Sequence, residues 1–594
     1  MIRYQITPSN PKTHLFSVKI EVSNPSLPMQ KVRLPNWIPG SYLIRDFAKN
    51  IMDLKVETTN GDYVHLEQLD KSNWQFSSQK AVIISYEVYA WDLSVRSAHF
   101  DETHAFFNGT STFLEIVDNH PCDLFVDIES TDFTQQQKWK VATGMPVVEI
   151  GKTGFGTYKA DTYHELIDYP VEIGTFQTLS FEANGIPHQM VVTGIAEFDE
   201  IRFTEDLIKI CETELNLFTG KPPIEKYVFM LMVTGNDYGG LEHINSTALI
   251  CSRNDLPYLG MQEASDGYLQ LLELCSHEYF HTWNVKRIQP EVYQKSSLQT
   301  PEYTNQLWWF EGVTSYYDAL ILLRAGLINK ATYLKLLAKQ MTRVYRMPGR
   351  FKQSVAESSW NTWTKFYQQD ENAPNAIISY YTKGSLIALA LDLVIRKETH
   401  SQKSLDDVLI YLWEHFGQKG IGIKDGEIEA VCSQVSGLDL TSFFNNYLFK
   451  NKDIPFTEIF SAFGIEFNLQ APTGLNDLGG LNEESNKILP TFLGANIQAL
   501  ETGLKITHIW NEQAAALSGL ASGDIIIAID SIQINTQTQL ETLLKRAKPG
   551  TKLNCHYFRR DELRQTEIIL LEPPKDRVTL NQKNETPHSY NWLD

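Results

Sequence analysis

The stretch HEYFHTWN, residues 277–284, contains the residue types of a metal-dependent hydrolase at a spacing that can bring them together. On an α-helix, residues i and i+4 lie on one face, so the imidazoles of His277 and His281 can point at a single metal ion. Glu278 stands one step around the helix, where its carboxylate can reach a water molecule beside that ion. The alternative is a pair of surface histidines that happen to lie four residues apart. We interpret the pattern as a zinc site.

The metal site requires a helix, and the preceding residues predict one. Residues 267–276, GYLQLLELCS, have the apolar spacing of a buried helix. Ser265 or Asp266 is suited to be its N-cap, because a short polar side chain can accept a hydrogen bond from the first free N–H groups.

Two histidines leave zinc short of the three protein ligands that a catalytic site usually provides. Glu311, in the segment WWFEGVTSYY at 308–317, stands 30 residues after His281, at the start of a predicted helix. A carboxylate in so apolar a segment needs a partner, since burying it uncompensated costs several kcal/mol or forces protonation. A metal ion would supply that partner. The alternative is a glutamate that interacts with the dipole of its helix.

The elements around these residues indicate a multidomain α+β protein. Residues 1–170 alternate apolar and polar side chains between frequent turns, which is typical of an antiparallel β domain. Residues 171–465 have the layout of a thermolysin-like zincin catalytic domain, with strands leading into the metal helix and a helical lobe after it. The predicted strands are 186–193, 226–233 and 241–247, and the predicted helices are 204–218, 313–326, 331–345, 383–397, 404–416 and about 440–450.

The C-terminal part predicts a third domain. Residues 466–487 contain Gly, Asn and Pro without periodicity and are predicted to be a linker. Residues 488–575 resemble a PDZ domain, with Leu493-Gly494 at the position of its carboxylate-binding loop and GLASGD at 519–524 before an Ile-rich strand. Residues 576–594 are predicted to be a polar tail.

Further motifs resemble a known family of peptidases. The pattern H-E-x-x-H-x-W-N followed by W-x-x-E-G is similar to that of the gluzincin metallopeptidases. GGLEH at 239–243 resembles the G-x-M-E-N motif of the aminopeptidase N family, and YTKG at 381–384 resembles its Y-x-K-G motif. The longer gap to Glu311, the loop PNWIPGSY at 35–42 and the PDZ unit differ from aminopeptidase N. They resemble the glycyl aminopeptidase family, a PDZ-containing branch of the gluzincins.

The resemblance implies an activity and a cofactor. It implies a zinc-dependent aminopeptidase that removes small N-terminal residues, preferably Gly and Ala, from peptides. One zinc ion per chain would be held by His277, His281 and Glu311. Glu278 would be the catalytic base, and the hydroxyl of Tyr381 would stabilise the oxyanion. The alternative for Tyr381 is a core aromatic at the start of an apolar helix.

The resemblance also implies a substrate-binding strand. Gly239, Gly240, Glu242 and His243 would line it, and the Glu242 carboxylate would pair with the free α-ammonium of the substrate. His243 stands where aminopeptidase N has Asn. Without the clamp at Glu242, the same zinc chemistry would serve an endopeptidase.

Two other functions are compatible with the motifs. One is a zinc endopeptidase whose PDZ domain tethers substrates by their C-terminal tails. The other is a non-catalytic PDZ protein that binds C-terminal peptides and carries a vestigial peptidase fold. The second predicts the loss of a zinc ligand or of the base, yet all of these residues are present.

Composition limits the partners. The chain has 594 residues, with 52 Lys+Arg against 72 Asp+Glu and a net charge of -20. This charge disfavours nucleic acid and anionic membranes as partners. The N-terminus lacks the apolar core of a signal peptide, and no apolar run reaches membrane-spanning length. The sequence therefore predicts a cytoplasmic protein.

Overall fold

The structure is a computed structural model that describes residues 2–23, 25, 27–117, 123–481, 488–583 and 592–593. The chain divides into two compact units, one formed by residues 1–302 and 412–423 and the other by residues 303–411 and 424–594. Among the described residues, no helix combines the length and apolar character needed to cross a membrane.

The first unit begins with the predicted β domain. In strand Ile2–Asn10, alternate side chains are buried, as the period of two requires. This strand lies inside an eight-stranded sheet whose order is Val147–Ile150, Gly156–Ala160, Leu124–Ile128, Ile2–Asn10, Leu15–Val22, Val82–Tyr89, Ile51–Thr58 and Tyr63–Val64. Two four-stranded sheets complete the domain: Lys140–Thr143, Val171–Gly174, His104–Phe107 and Ala98–Phe100, and Glu115–Val117, Met29–Arg33, Asn73–Ser77 and Leu66–Gln68.

The boundary of this domain lies beyond the predicted residue 170. Strand Val171–Gly174 pairs with His104–Phe107 on one side and with Lys140–Thr143 on the other. It therefore belongs to the N-terminal domain. The sequence did not show this, because a strand is assigned to a sheet by hydrogen-bond partners that lie far away in the chain.

The catalytic lobe of the first unit is a five-stranded sheet with two long helices. The sheet order is Gln177–Ala183, Ile186–Thr193, Tyr227–Thr234, Ser246–Ser252 and Gly239–Glu242. The helices are Glu200–Leu217 and Asp266–Phe280. The predicted single strand 241–247 is in fact two antiparallel strands, since the chain reverses where the His243 N–H donates to the Ser246 carbonyl. This turn leaves Gly239–Glu242 at the edge of the sheet.

The segment after the catalytic helix is largely helical, as predicted. Trp308–Val313 is a π-helical turn that continues directly into helix Thr314–Arg324. The other main helices are Lys330–Tyr345, Val355–Trp360, Thr382–Glu398, Leu405–His415, Glu427–Ser436, Thr441–Tyr447 and Phe456–Ser461.

The PDZ domain of the second unit has its own apolar core. Its strands are Ala495–Leu500, Gly503–Ile509, Ile525–Ile529, Ile532–Gln533, Lys552–Arg559 and Glu562–Ile569, and its helices are Ala514–Leu517 and Gln537–Arg546. Ala495–Leu500 forms one edge of the sheet. The fold class predicted from the sequence, a β domain, a zincin-type catalytic domain and a PDZ domain, is confirmed.

Two segments that the sequence predicts to be a linker and a polar tail contain paired strands. Ile465–Gln470 pairs antiparallel with Arg577–Gln582, which comes after the PDZ domain. Val578 and Leu580 are fully buried, and Trp592 donates a hydrogen bond to the Tyr316 hydroxyl at 3.0 Å. The PDZ domain is therefore inserted between two strands of one hairpin-like pair. The linker residues 482–487 lie outside the described residues.

Candidate active site

The helix that carries the H-E-x-x-H pattern has the predicted N-cap. The Ser265 side chain accepts a hydrogen bond from the Tyr268 N–H at 3.1 Å, which decides between Ser265 and Asp266. The helix ends at Phe280, and His281 follows as its C-cap with φ −60° and ψ −16°. Because these are helical angles, the i and i+4 relation of the two histidines is kept.

Buried hydrogen bonds hold this helix in place. The His188 Nδ1–H donates to the Ile186 carbonyl, so its Nε2 accepts from the Tyr279 hydroxyl at 3.0 Å. The Tyr227 hydroxyl donates to the Glu278 main-chain oxygen at 3.3 Å. Burial lowers the pKa of His188 to about 4, which keeps the imidazole neutral and able to accept.

The three predicted zinc ligands meet. One ligand atom each of His277, His281 and Glu311 lies within 4.8 Å of the others. His281 Nδ1 lies 2.7 Å from the Asn284 carbonyl and must donate to it, so Nε2 is the nitrogen available to a metal. Two imidazoles and one carboxylate are a donor set that suits zinc. The residues present therefore fit the metal that the sequence predicts.

A second group of possible ligands overlaps the first. Glu242, Glu278 and His281 also offer ligand atoms within 4.8 Å of one another. This group shares His281 with the first, and it would use the carboxylate that the chemistry needs as a base. A metal held by His277, His281 and Glu311 would not use the Glu278 or Glu242 carboxylate as a ligand.

Close packing of two glycines fixes Glu311 relative to Tyr381. A Cβ on Gly312 would lie 2.7 Å from the Gly384 Cα and 2.8 Å from the Tyr380 carbonyl oxygen. The glycine after Glu311 and the glycine of the 381–384 motif therefore let two helical segments touch. Tyr381 is half-buried, precedes helix Thr382–Glu398 and stacks on Phe366.

Glycines also bring two carboxylates together beside His281. A Cβ on Gly240 would lie 2.1 Å from Glu278 Oε1, so the Glu278 carboxylate rests on the backbone of the edge strand. A Cβ on Gly40 would lie 2.5 Å from both carboxylate oxygens of Glu242. Gly40 has φ +84°, a conformation that favours glycine.

The remaining residues of the 239–243 motif have structural contacts. His243 Nδ1 lies 3.0 Å from Asp168, whose other oxygen accepts from Lys286 at 2.7 Å. Burial opposes ionisation of Asp168, but Lys286 and His243 outweigh it and hold the pKa of this carboxyl below its usual value. A direct role of His243 in binding substrate stays a prediction. Arg96 donates to the Gly240 carbonyl at 3.4 Å and supports the edge strand.

Sequence reasoning missed Gly40 and Arg96 as parts of the site, and it assigned no role to the Asn284 carbonyl, which orients His281. Gly40 lies in the loop 35–42, which the sequence singled out for its prolines and its family resemblance. No local signal connects Gly40 or Arg96 with strand Gly239–Glu242, because both come from the N-terminal domain.

In the PDZ domain, Leu493 and Gly494 directly precede the edge strand Ala495–Leu500. Leu493 is buried, and its carbonyl accepts from the Ala515 N–H at 2.8 Å. Gly494 has φ +77°, and a Cβ there would lie 2.0 Å from the Gln513 Cβ. Their role as a carboxylate-binding loop stays a prediction.

Comparison with known proteins finds three matching domains and a similar crystal structure. Residues 3–175 match the Peptidase M61 N-terminal domain, residues 270–387 match the M61 glycyl aminopeptidase, and residues 491–570 match a PDZ domain. A crystal structure of the aminopeptidase N family protein from Idiomarina loihiensis is 41% identical, with a TM-score of 0.96 over 100% of both chains. No curated protein matches the chain.

A more distant structure, the M1 zinc metallopeptidase from Deinococcus radiodurans, is 12% identical. It covers 76% of this chain and 94% of its own, with a TM-score of 0.48. This likeness is too low to bear on function.

The site and the matched families define a metallopeptidase. The chain belongs to the M61 glycyl aminopeptidase family, in its PDZ-containing form. Membership of that family implies a zinc cofactor.

Proposed function

We propose that this protein is a zinc-dependent aminopeptidase that removes small N-terminal residues, preferably Gly and Ala, from peptides with a free N-terminus. One observation carries the proposal. The Glu242 side chain is buried, with 5% of the residue exposed, and in the described part of the chain its carboxylate has no hydrogen-bond or ionic partner. A buried, unpaired carboxylate costs several kcal/mol. The α-ammonium of a substrate would supply the missing charge.

The position of Glu242 suits such an anchor. Its carboxylate lies within 4.8 Å of ligand atoms of Glu278 and His281. A substrate held there by its first nitrogen would place its first peptide bond beside the base. This supports cleavage counted from the N-terminus.

The loop 35–42 supports a preference for small residues. Gly40 of this loop packs on Glu242, so the loop limits the space beside the bound amine. The loop is fixed by the Asn36 N–H, which donates to the Leu298 carbonyl at 2.8 Å, and by the Trp37 indole, which donates to the Thr300 carbonyl at 3.0 Å. Because these hydrogen bonds hold the loop in place, it leaves little room for a large side chain on the first residue of the substrate.

The chemistry follows from the residues. When bound by His277, His281 and Glu311, zinc polarises the scissile carbonyl and acidifies water. The Glu278 carboxylate takes a proton from the attacking water and passes it to the leaving amine. The Tyr381 hydroxyl donates a hydrogen bond to the oxyanion.

The test is hydrolysis of Gly-, Ala- and Leu-anilides and of their N-acetylated forms, with and without a chelator. The wild type should cleave the free amines, Gly and Ala fastest, and lose activity with the chelator. Glu242→Gln should lose about 1.5–3 kcal/mol of transition-state binding, roughly 10- to 100-fold in kcat/KM. Glu278→Gln should lose about 10²- to 10⁴-fold in kcat and keep zinc.

Glu182→Gln, on the exposed surface of the same unit, is the control and should match the wild type. Cleavage of N-acetylated peptides at internal bonds by the wild type would reject an aminopeptidase in favour of the PDZ-tethered endopeptidase. No cleavage of any substrate by the zinc-loaded protein would favour the non-catalytic peptide-binding protein.

A further inference from the structure

The PDZ domain presents a groove between its edge strand Ala495–Leu500 and helix Gln537–Arg546. A PDZ domain binds a peptide by adding it as a strand to such an edge, where main-chain groups pair and side chains enter the groove. Gln537 and Glu541 lie one helical turn apart and so share a face of the helix. These two side chains indicate what covers the groove.

Both side chains are engaged by residues that precede the PDZ domain. The Asn476 side-chain amide donates to Gln537 Oε1 at 2.9 Å, and the Leu475 N–H donates to Glu541 Oε2 at 3.3 Å. A Cβ on Gly474 would lie 3.0 Å from Glu541 Oε2. Residues 474–476 therefore lie directly against this face of the helix.

The same segment supplies an apolar side chain to the domain. Leu475 is half-buried and packs on the PDZ core, as do Ile497 of the edge strand and Leu543 of the helix. An external peptide would place an apolar side chain against the same two elements.

The edge strand is also occupied. The Gln537 amide donates to the Ile497 carbonyl at 2.7 Å, which takes an acceptor that an added strand would use. Gln537 thus links Asn476 to the strand, and the groove is closed by groups of this chain.

The segment is held in shape and tied to the helical lobe. The Asp477 carboxylate accepts from the Thr473 N–H at 2.8 Å and pairs with Arg577 at 2.6 Å. Its main-chain carbonyl accepts from Arg346 at 2.8 Å. We call residues 473–477 the plug loop.

We propose that the plug loop is an intramolecular ligand of the PDZ groove, so that an external C-terminal peptide binds only when Leu475 and Asn476 leave. While the plug loop is in place, the groove cannot bind the C-terminal tails of substrates. The occupant is the chain itself, at a high effective concentration, because the loop is anchored on both sides.

The experiment uses the full chain and the double variant Leu475→Ser/Asn476→Ala, which removes the apolar contact and the amide donor but keeps Asp477. Leu517→Ser changes a leucine of the same domain that is 70% exposed and serves as the control. Hydrogen exchange should rise in residues 495–500 and 537–541 in the double variant and stay at the wild-type level in the control. Unchanged exchange in the double variant would overturn the proposal.

Binding gives the second readout. The probe is a mixture of fluorescein-labelled decapeptides, randomised except for a free C-terminal Val, Leu or Phe, with the amidated mixture alongside. The double variant should bind the free-carboxylate mixture about tenfold tighter or more than the wild type, because the plug loop reduces the competent fraction. Equal affinities, or no carboxylate-dependent binding by the double variant, would contradict a latent peptide site.

Discussion

Two carboxylates share a small volume beside His281, and glycine makes this possible. Glu278 rests against Gly240 and Glu242 against Gly40, where any side chain would collide with the carboxylate. Two like charges so close repel each other. A bound metal ion and the ammonium group of a substrate would each place a positive charge beside one of these carboxylates. The glycines are thus part of the proposed amine site although they carry no functional group.

Substitution of Gly40 tests whether this glycine positions the Glu242 carboxylate. Gly40→Ala places a Cβ 2.5 Å from both Glu242 oxygens, so Glu242 must move. We expect kcat/KM for Ala-anilide to fall about 10-fold or more, mostly through KM, since an ion-paired hydrogen bond is worth about 1.5–3 kcal/mol. Steady-state kinetics on the zinc-loaded protein measures it.

Gly185→Ala provides the matched control. Gly185 has φ +79°, close to the +84° of Gly40, but a Cβ there would meet nothing within 4 Å. Both variants bear the same backbone strain, roughly 1 kcal/mol, and only Gly40→Ala should change the kinetics. Equal kinetics in the two variants would show that Gly40 does not position Glu242.

At the scale of elements, the contact between Gly312 and Gly384 ties Glu311, the predicted third zinc ligand, to the helix that follows Tyr381. The π-helical turn Trp308–Val313 widens the helix at Glu311, a feature often found at functional sites. An ordinary α-helix follows the turn, so the widening of the helix is confined to the residues around Glu311. Packing of the two glycines then determines where the Glu311 carboxylate can point.

Gly312→Ala should separate these segments, because its Cβ would lie 2.7 Å from the Gly384 backbone. We expect zinc affinity to fall roughly 10- to 100-fold, as for other changes that misorient a ligand. Chelator competition on the metal-free protein measures it. Gly326→Ala, which meets nothing within 4 Å, should retain wild-type affinity, and similar losses in both variants would argue against a specific effect on Glu311.

The bond from His188 to Tyr279 joins the sheet to the catalytic helix, and the burial of His188 makes stability depend on pH. Burial lowers the pKa of His188 to about 4 in the folded state, whereas an unfolded histidine has a pKa of about 6.5. Between these values the unfolded chain binds the extra proton, so stability is complete above pH 6.5 and falls as pH falls towards 4. The slope is at most about 1.4 kcal/mol per pH unit.

His188→Gln should remove the contribution of His188 to the change of stability with pH. The melting temperature of the chelated protein, measured from pH 7 to pH 4.5, tests it without a contribution from zinc release. The variant should lose less stability on acidification than the wild type does. Substitution of the exposed His65 should leave the wild-type curve, and a His188→Gln curve parallel to that of the wild type would contradict the assignment.

At the scale of the whole molecule, the PDZ domain is an insertion in the second unit. The strand that precedes it and the strand that follows it pair with each other, and Gln470 lies opposite Arg577. The Asn375 side chain also bonds the PDZ domain, donating to the Ile509 carbonyl at 2.7 Å and accepting from the Asn511 N–H at 2.9 Å. These contacts fix the domain on the helical lobe.

This connection predicts how the domain can be removed. Replacing residues 471–576 with Asn-Gly should join the two strands as a hairpin, because this dipeptide favours a two-residue turn. Truncation after residue 486 instead removes strand Arg577–Gln582 and uncovers the lobe. Val578 and Leu580 alone contribute about 1.5–3 kcal/mol each by burial.

We therefore expect the hairpin variant to melt near the wild-type temperature and to retain Ala-anilide hydrolysis, whereas the truncation melts several degrees lower. Thermal melting followed by circular dichroism compares the two proteins. Equal melting temperatures would show that the last strand does not support the helical lobe.

The sequence by itself determined the chemistry that depends on local spacing. His277 and His281 share a helix face because the helical period is local, and Glu311 was predicted to be the third ligand because a carboxylate in so apolar a segment needs a partner. The strands of the N-terminal domain and the helices after the catalytic helix followed from periodicity in the same way. The PDZ domain and the motif at 239–243 were found by family resemblance.

Tertiary structure alone decided the contacts between residues far apart in the chain. Gly40 meets Glu242, Gly312 meets Gly384, the plug loop meets Gln537 and Glu541, and the predicted tail forms a strand with the predicted linker. Each contact joins segments whose own patterns indicate only a turn, a helix or a polar stretch. Periodicity reports which side of an element is buried but not which distant segment buries it, and for that reason these partners could be known only from the folded chain.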